Sequence, residues 1–148
     1  MVGGNWQVEI TEQVKTIKKN LKILSKLEKE FSVKPNNDND DPLFYCGVAK
    51  SNIINELTPL VEEYFGTAYK PAGETAIIKN FFDPFIKAIG GIHRNQTLFK
   101  KDIDKDVILY CAFWPWGSDP VRTSIRVGLI CLSDDLKEAY TSQLKGYF

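Results

Sequence analysis

The chain has 148 residues, of which 43% are hydrophobic and 26% charged, and its formal net charge is zero at pH 7. This composition is that of an ordinary globular domain and argues against disorder, and the balanced charge argues against nucleic acid as a partner. No apolar run approaches the ~18 residues that cross a bilayer, and the N-terminus lacks a signal-peptide pattern. We therefore expect one globular domain over residues 1–148, cytoplasmic and without membrane contact.

Residues 7–31 carry the strongest helical pattern. Their apolar residues recur every three or four positions, as on one face of a helix: Ile10, Val14, Ile17, Leu21, Leu24, Leu27 and Phe31. Five lysines fall on the opposite side: Lys15, Lys19, Lys22, Lys26 and Lys29. The pattern predicts one long amphipathic helix. The side of the helix that carries these lysines is either simply exposed to solvent or a docking surface for phosphate, anionic lipid or an acidic partner.

Residues 34–42 are rich in Asn, Asp and Pro, which favour turns and end regular structure. We predict a mobile surface loop here, followed by a short strand over residues 43–49. The aspartates do not fit a calcium loop, because Pro42 stands where a ligand is required and the Gly and the terminal Glu are missing. The three cysteines show no C-x-x-C pairing, so neither a metal site nor a disulfide framework is expected.

The middle of the chain contains two helix-start signals. Thr58-Pro59 and Asp83-Pro84 each place a capping side chain directly before a proline, and Gly66 and Gly90 are suitable ends. We predict two helices that begin by this rule, although the first could also run through Pro59 with a kink. Residues 74–82 fit a strand as well as a helix.

From residue 96 onward the pattern changes to that of strands. Segments 96–103, 106–114 and 121–131 predict three antiparallel strands, the last two joined by a turn at residues 115–120. We place Trp114 opposite Val121, which sends the tryptophan side of the hairpin into the core and both Arg122 and Arg126 to the reverse, beside Leu109 and Phe113.

Ser133 then caps a final helix. The sequence thus predicts an α+β fold, in which an antiparallel sheet of three to five strands is packed by a long N-terminal helix, middle helices and a C-terminal helix.

The candidate contact residues are Arg122, Arg126, Phe113, Trp116 and His93. Two guanidinium groups above the apolar Phe113 could hold a carboxylate or a phosphate. Of Trp114 and Trp116 we expect one to point inward and one outward. Trp116 at the hairpin tip is either an interface anchor or a side chain folded over the core edge. His93 is the only histidine, but it has no assigned partner for acid–base chemistry.

These features support three hypotheses. The first is a non-enzymatic protein-interaction or regulatory module that self-associates as a homodimer or binds a protein partner, through the long helix or the Arg-bearing face. The second is a sensor-like domain that binds a small molecule, such as an anion, in an apolar pocket lined by Phe81, Phe82, Phe85, Tyr110 and Trp114. The third is an enzyme, which the sequence neither supports nor excludes. No catalytic residue, cofactor or metal is predicted.

Overall fold

The structure is a computed structural model that describes residues 2–36 and 40–148, and the side chains within them except those of residues 2–9 and 78. The α-helices are α1 (Val2–Asn20), α2 (Lys22–Phe31), α3 (Ile54–Phe65), α4 (Ile77–Phe82), α5 (Pro84–Ala88) and α6 (Asp134–Leu144). The strands are β1 (Lys34–Pro35), β2 (Phe44–Lys50), β3 (Thr97–Asp104), β4 (Val107–Pro115) and β5 (Arg122–Cys131). This confirms the predicted α+β class.

The five strands form one antiparallel sheet in the order β1-β2-β5-β4-β3. At the β1 edge, the backbone N–H of Asn36 donates to the carbonyl of Cys46 at 2.7 Å. Because hydrogen-bonded and non-bonded pairs alternate, the backbone of the neighbouring Pro35 points away from β2. A proline there leaves no outward donor, which blunts this edge against further strand pairing.

The first face of the sheet holds the main core, against which α1, α2, α3 and α6 pack. The strands contribute to it mainly aliphatic and aromatic residues at every second position: Val107, Leu109, Cys111, Phe113, Ile125, Val127 and Leu129. The apolar stripe predicted for residues 7–31 is buried here, Phe31 only partly. Because that seam covers the sheet, it is not available to a second copy, and of the two surfaces in our first hypothesis the Arg-bearing face is the one left open.

The predicted single helix over residues 7–31 is in fact two helices, α1 and α2, which meet at Leu21. Asn20 is buried at this junction, where its side-chain amide donates to the carbonyl of Tyr64 at 2.8 Å. Its side-chain oxygen accepts from Lys101 Nζ at 3.1 Å. An Asn so anchored fixes the end of α1 by tertiary contacts, which the helical period does not reveal.

The second face of the sheet carries a smaller core on its β3–β4 half. This cluster consists of Ala76, Phe85, Ile86, Ile92, Leu98, Tyr110 and Ala112. α5 begins as predicted, since Asp83 accepts a hydrogen bond from the backbone N–H of Phe85 at 2.9 Å. The Thr58 cap is wrong: α3 runs through Pro59, and the Thr58 hydroxyl donates to the carbonyl of Ile54 at 2.6 Å. The alternative, a helix that runs through Pro59, is correct.

The predicted register of the β4–β5 hairpin is wrong by three residues. Trp114 pairs with Ser124 rather than with Val121, which is exposed. Because three is odd, every β5 side chain changes face relative to β4. Tyr110 pairs with Gly128, where an added Cβ would lie 2.7 Å from the tyrosine ring. The bare backbone of Gly128 therefore lets the ring lie across β5 in this register.

The predicted loop over residues 34–42 begins with a strand, because Lys34 and Pro35 pair with Val48 and Gly47 of β2. Residues 37–39 lie outside the described residues, and mobility of the loop stays a prediction. Among the helices of the described ranges, none has the length and apolar character that crossing a bilayer requires.

Candidate functional site

The open half of the second sheet face carries the candidate site. On β2, alternate residues Tyr45, Gly47 and Ala49 are buried, whereas the intervening side chains are half-buried and Lys50 is exposed. Those intervening residues, Phe44, Cys46 and Val48, pair with β5 at Gly128, Arg126 and Ser124. We call the tryptophans and arginines of this half, Trp114, Trp116, Arg122 and Arg126, the Arg–Trp face.

Arg126 lies over the ring of Trp114. Its guanidinium carbon is 4.6 Å from a ring centroid of the indole, a distance at which the cation is attracted to the negative face of the ring. Register explains the contact, because Arg126 pairs with Ala112, and Trp114 is two residues further on the same face. The small Ala112 leaves the room for the arginine stem.

The Nε of Arg126 is buried and has no hydrogen-bond partner among the described residues. A guanidinium presents Nε–H and Nη–H as a planar fork that matches a carboxylate in a bidentate contact. Burial raises the pKa of Tyr110, while the positive charge of Arg126 acts in the opposite direction. The two groups therefore share one electrostatic environment, in which Arg126 supplies the positive charge.

Arg122 repeats this arrangement at the hairpin end. Its guanidinium carbon is 5.7 Å from a ring centroid of Trp116, and its Nε lies 3.4 Å from an oxygen of Asp119. The Trp116 indole N–H donates to Ser124 Oγ at 2.8 Å, and its backbone N–H donates to the Arg122 carbonyl at 3.0 Å. These bonds attach Trp116 to β5.

A groove of about 790 Å³ adjoins this end of the face. One part of its wall is Trp116 and Arg122, and the rest comes from the end of α2, β1, the end of β2 and the start of α3. Its lining residues are Glu30, Phe31, Ser32, Lys34, Pro35, Asn36, Val48, Ala49, Lys50, Ile53, Glu56, Trp116 and Arg122. The groove is thus amphipathic, with three cations, two carboxylates and an aromatic wall.

Two of the predicted contact residues belong elsewhere. Phe113 is buried on the first face, edge-on to Phe99 with ring centroids 5.4 Å apart. It is therefore not the floor under the arginines, because the three-residue error in register exchanged the faces. The tryptophan prediction is also wrong: Trp114 and Trp116 are both half-buried and both lie on the arginine side, Trp114 under Arg126 and Trp116 bonded to Ser124.

His93 is exposed and lies in a separate shallow depression with Ala72, Gly73, Arg94 and Asn95. Its backbone contributes to an unpredicted structure, in which the buried Lys70 ammonium donates to the carbonyls of His93, Arg94 and Gln96 at 2.9, 2.7 and 2.7 Å. We call these three oxygens and the ammonium the Lys70 cradle. The cradle holds the loop before β3, which includes His93. The histidine is therefore not part of the Arg–Trp face with Arg122 and Arg126.

The predicted apolar pocket is not formed by its five aromatic residues. Phe85 and Tyr110 pack directly against each other, with ring centroids 5.8 Å apart and an interplanar angle of 60°. Phe81 and Phe82 are 67% and 79% exposed at the end of α4, which stops at Asp83, and α5 begins at Pro84. These two side chains therefore point to solvent rather than toward the sheet.

Within the described ranges, no group of three or more His, Cys, Asp or Glu side chains is placed to hold a metal ion. The sequence analysis missed the role of Trp114 as the partner of Arg126, and that of Lys70. One signal for the first was available. Gly128 follows Arg126 by two residues on the same face, and a glycine in a strand often marks a close approach of a neighbouring group.

The comparisons with protein-family models, with curated proteins and with solved structures found no match for this chain.

Proposed function

We propose that this protein is a non-enzymatic interaction module that binds an acidic segment of a partner protein on its Arg–Trp face. The observation that carries the proposal is Arg126. It stacks on Trp114 on a half-open sheet face, and its buried Nε has no partner among the described residues. Because Nε has almost no accessible surface, we place the ligand on the terminal Nη donors of the half-buried Arg126.

The spacing of the two arginines favours an extended acidic segment. Arg122 and Arg126 are four strand residues apart, which corresponds to about 13 Å. That is too far for one carboxylate to bridge. An extended chain with acidic side chains four residues apart has the same repeat, and its intervening side chains can contact the indoles of Trp114 and Trp116. Tryptophan and arginine are also the residues most enriched in binding hot spots.

The chemistry of the face suits binding rather than catalysis. Guanidinium and indole groups donate hydrogen bonds and stack, but they do not exchange protons near neutral pH. His93, the only histidine, belongs to the depression beside the Lys70 cradle. We therefore assign no reaction to this face.

A fluorescence titration tests the proposal, because Trp114 and Trp116 are two of the three tryptophans. We expect a peptide of ten glutamates to change the emission at low salt, while a peptide of ten lysines does not. Arg126→Lys keeps the charge but loses the planar fork and should weaken binding about tenfold. The matched control is Lys105→Gln, which removes one exposed positive charge from the β3–β4 turn. Equal affinity in Arg126→Lys and in the unaltered protein would refute the proposal.

The groove beside Trp116 favours a second occupant of the same chemistry, a small anionic molecule. Its volume of about 790 Å³ is in the range of ligand pockets, and Arg122 with Lys34 and Lys50 provides positive charge. Thermal stabilisation by a small dicarboxylate, lost in Arg122→Met but kept in Arg126→Lys, would favour this alternative over the acidic segment.

Self-association remains a proposal, and the observation that favours it is on α4. Ile77 is 65% exposed, and with Phe81 and Phe82 it gives one six-residue helix three large apolar side chains facing water. Such a patch is typical of an interface. Sedimentation velocity at micromolar concentrations should show a dimer that Phe82→Ser converts to monomer. Val121→Ser, at another exposed apolar residue, should leave the dimer intact. A monomer throughout this range would refute self-association.

A further inference from the structure

A second concave surface lies at the junction of α1 and α2, and it shares no residue with the Arg–Trp face. It has a volume of about 440 Å³ and is lined by Lys15, Lys18, Lys19, Leu21, Lys22 and Tyr147. We call it the lysine cleft. Three of its lysines are among the five predicted on one side of the helix, whereas Lys18 and Tyr147 add a concave wall that the sequence did not indicate.

The positive charge of the lysine cleft is largely uncompensated. None of the described residues that line it is acidic, and among the described residues Lys15 is the one lysine of the cleft that pairs with a carboxylate, that of Glu12 at 3.3 Å. Both side chains of that pair are mostly exposed, so the pairing is weak. Like charges three and four residues apart on a helix repel each other. Four ammonium groups gathered this closely produce a positive potential that attracts a multiply charged anion.

Tyr147 shapes one wall of the lysine cleft. The Nζ of Lys18 lies 4.4 Å from the centroid of the Tyr147 ring, and Tyr147 is 48% exposed. An aromatic face attracts an ammonium without neutralising its charge. Lys18 is therefore held at the wall with its charge still available to a ligand.

We propose that the lysine cleft binds a small ligand that carries adjacent phosphate groups. Lys15, Lys18 and Lys19 lie within about 6 Å of rise on one side of α1, and Lys22 follows three residues later as the first residue of α2. Adjacent phosphates place several negative charges within a comparable length. Lysine ammonium groups act as point charges with rotatable donors, which suits a flexible phosphate chain, whereas the planar arginines of the Arg–Trp face suit carboxylates.

Isothermal titration calorimetry with inorganic triphosphate tests this proposal. We expect binding at low salt that weakens steadily as salt is added. The double variant Lys18→Gln/Lys22→Gln should lower the affinity at least about tenfold, because two charge-assisted contacts are lost. Lys29→Gln/Lys105→Gln is the matched control: it removes two charges as well, from exposed positions outside the cleft, and should change the affinity less than about twofold.

Tyr147→Leu examines the wall separately, because it keeps all four lysines but releases Lys18. We expect a loss of about two- to threefold, with unchanged far-UV circular dichroism. The proposal is overturned if triphosphate does not bind at low salt, or if Lys29→Gln/Lys105→Gln weakens binding as much as Lys18→Gln/Lys22→Gln. It is also overturned if binding survives Lys18→Gln/Lys22→Gln and disappears in Arg126→Lys, which would place the anion on the Arg–Trp face. The last outcome leaves our proposed function intact, so the two proposals fail separately.

Discussion

Lys70 and Arg126, two cations on the second side of the sheet, differ in how their hydrogen-bond donors are used. In the Lys70 cradle, the ammonium is 1% exposed as part of its residue and donates to three backbone carbonyls. On the Arg–Trp face, Arg126 is half-buried over an indole, and its buried Nε has no partner among the described residues. The Lys70 ammonium therefore has an internal acceptor for each of its protons, whereas the guanidinium of Arg126 has no hydrogen-bond acceptor at Nε among the described residues.

The difference indicates what each cation does. Three donated bonds use all three protons of an ammonium, so the cradle has no capacity left for a ligand. They also require the charged form, because a neutral amine has two N–H groups, even though burial lowers the pKa of Lys70. Lys70 is therefore a structural cation that orders the loop before β3. Arg126 retains capacity for a partner, which supports its role in binding.

The largest effect that follows from this comparison is on Lys70→Met. The substitution retains most of the apolar stem but leaves three carbonyls without their donor in a closed site. We expect the free energy of unfolding to fall by about 3–5 kcal/mol, because three carbonyl acceptors lose the donor they share and each unsatisfied buried group costs about 1–3 kcal/mol before relaxation. Urea denaturation followed by circular dichroism measures this loss.

The control for Lys70→Met is Lys105→Met, at an exposed turn position, which should change stability by less than about 0.5 kcal/mol. A second check uses hydrogen exchange of the amides of residues 93–97, whose protection should fall in Lys70→Met. A variant as stable as the unaltered protein would show that the cradle contributes nothing and would remove the basis of the comparison.

The next effect concerns Tyr110, which separates the covered half of the second face from the Arg–Trp face. In Gly128→Ala, the new Cβ would lie 2.7 Å from the tyrosine ring, so the ring must move. We expect a loss of about 1–3 kcal/mol in the free energy of unfolding, as for other overpacked cores. Gly117→Ala has no heavy atom within 4 Å of the new Cβ and should be neutral in the same denaturation experiment. Equal stability of both variants would contradict the tight contact at Gly128.

The comparison also shows why the sequence predicted the elements well and the sites poorly. The strand periods identified β2, β3, β4 and β5 to within a residue or two, because burying one face produces a regular pattern, and the Ser133 cap identified the start of α6. The cap at Asp83 was equally predictable, since it depends on neighbouring residues alone.

The hairpin register was not predictable from the pattern because β4 is apolar on both faces. With no polar side to orient it, sliding β5 by three residues costs nothing in the pattern and exchanges both faces. The Arg–Trp pairs depend on that register, and the Lys70 cradle depends on contacts between residues more than twenty positions apart. Local sequence carries no information on such contacts, so Phe113 was placed beside the arginines in error.

A smaller effect is expected at Tyr69, the residue before Lys70. Its hydroxyl donates to the carboxylate of Asp83, and burial together with this bond raises the pKa of Tyr69 from 10.0 to about 12. A phenol whose pKa is raised by folding stabilises the folded state below pH 10, and the contribution disappears as the pH rises through 12. We expect Tyr69→Phe to cost about 1–2 kcal/mol at pH 8.

The pH dependence gives Tyr69→Phe a signature beyond simple destabilisation. Between pH 10 and pH 12, the free energy of unfolding should fall less steeply in Tyr69→Phe than in the unaltered protein. Tyr147→Phe, at an exposed tyrosine, should keep the original slope. Parallel slopes for Tyr69→Phe and the unaltered protein would contradict the raised pKa.

The smallest effect on stability is expected for Arg126→Met, the counterpart of Lys70→Met. The methionine can still cover Trp114, and the substitution removes a guanidinium whose buried Nε has no partner among the described residues. Replacing such a group with an apolar side chain of similar length is often neutral or stabilising, so the change should lie within about 1 kcal/mol of zero. The loss should appear instead in binding, as a weaker response to the glutamate peptide. If Arg126→Met lowers the free energy of unfolding as much as Lys70→Met does, then the Arg126 guanidinium is a structural cation too. In that case the presence or absence of internal hydrogen-bond partners does not distinguish a structural cation from a binding one.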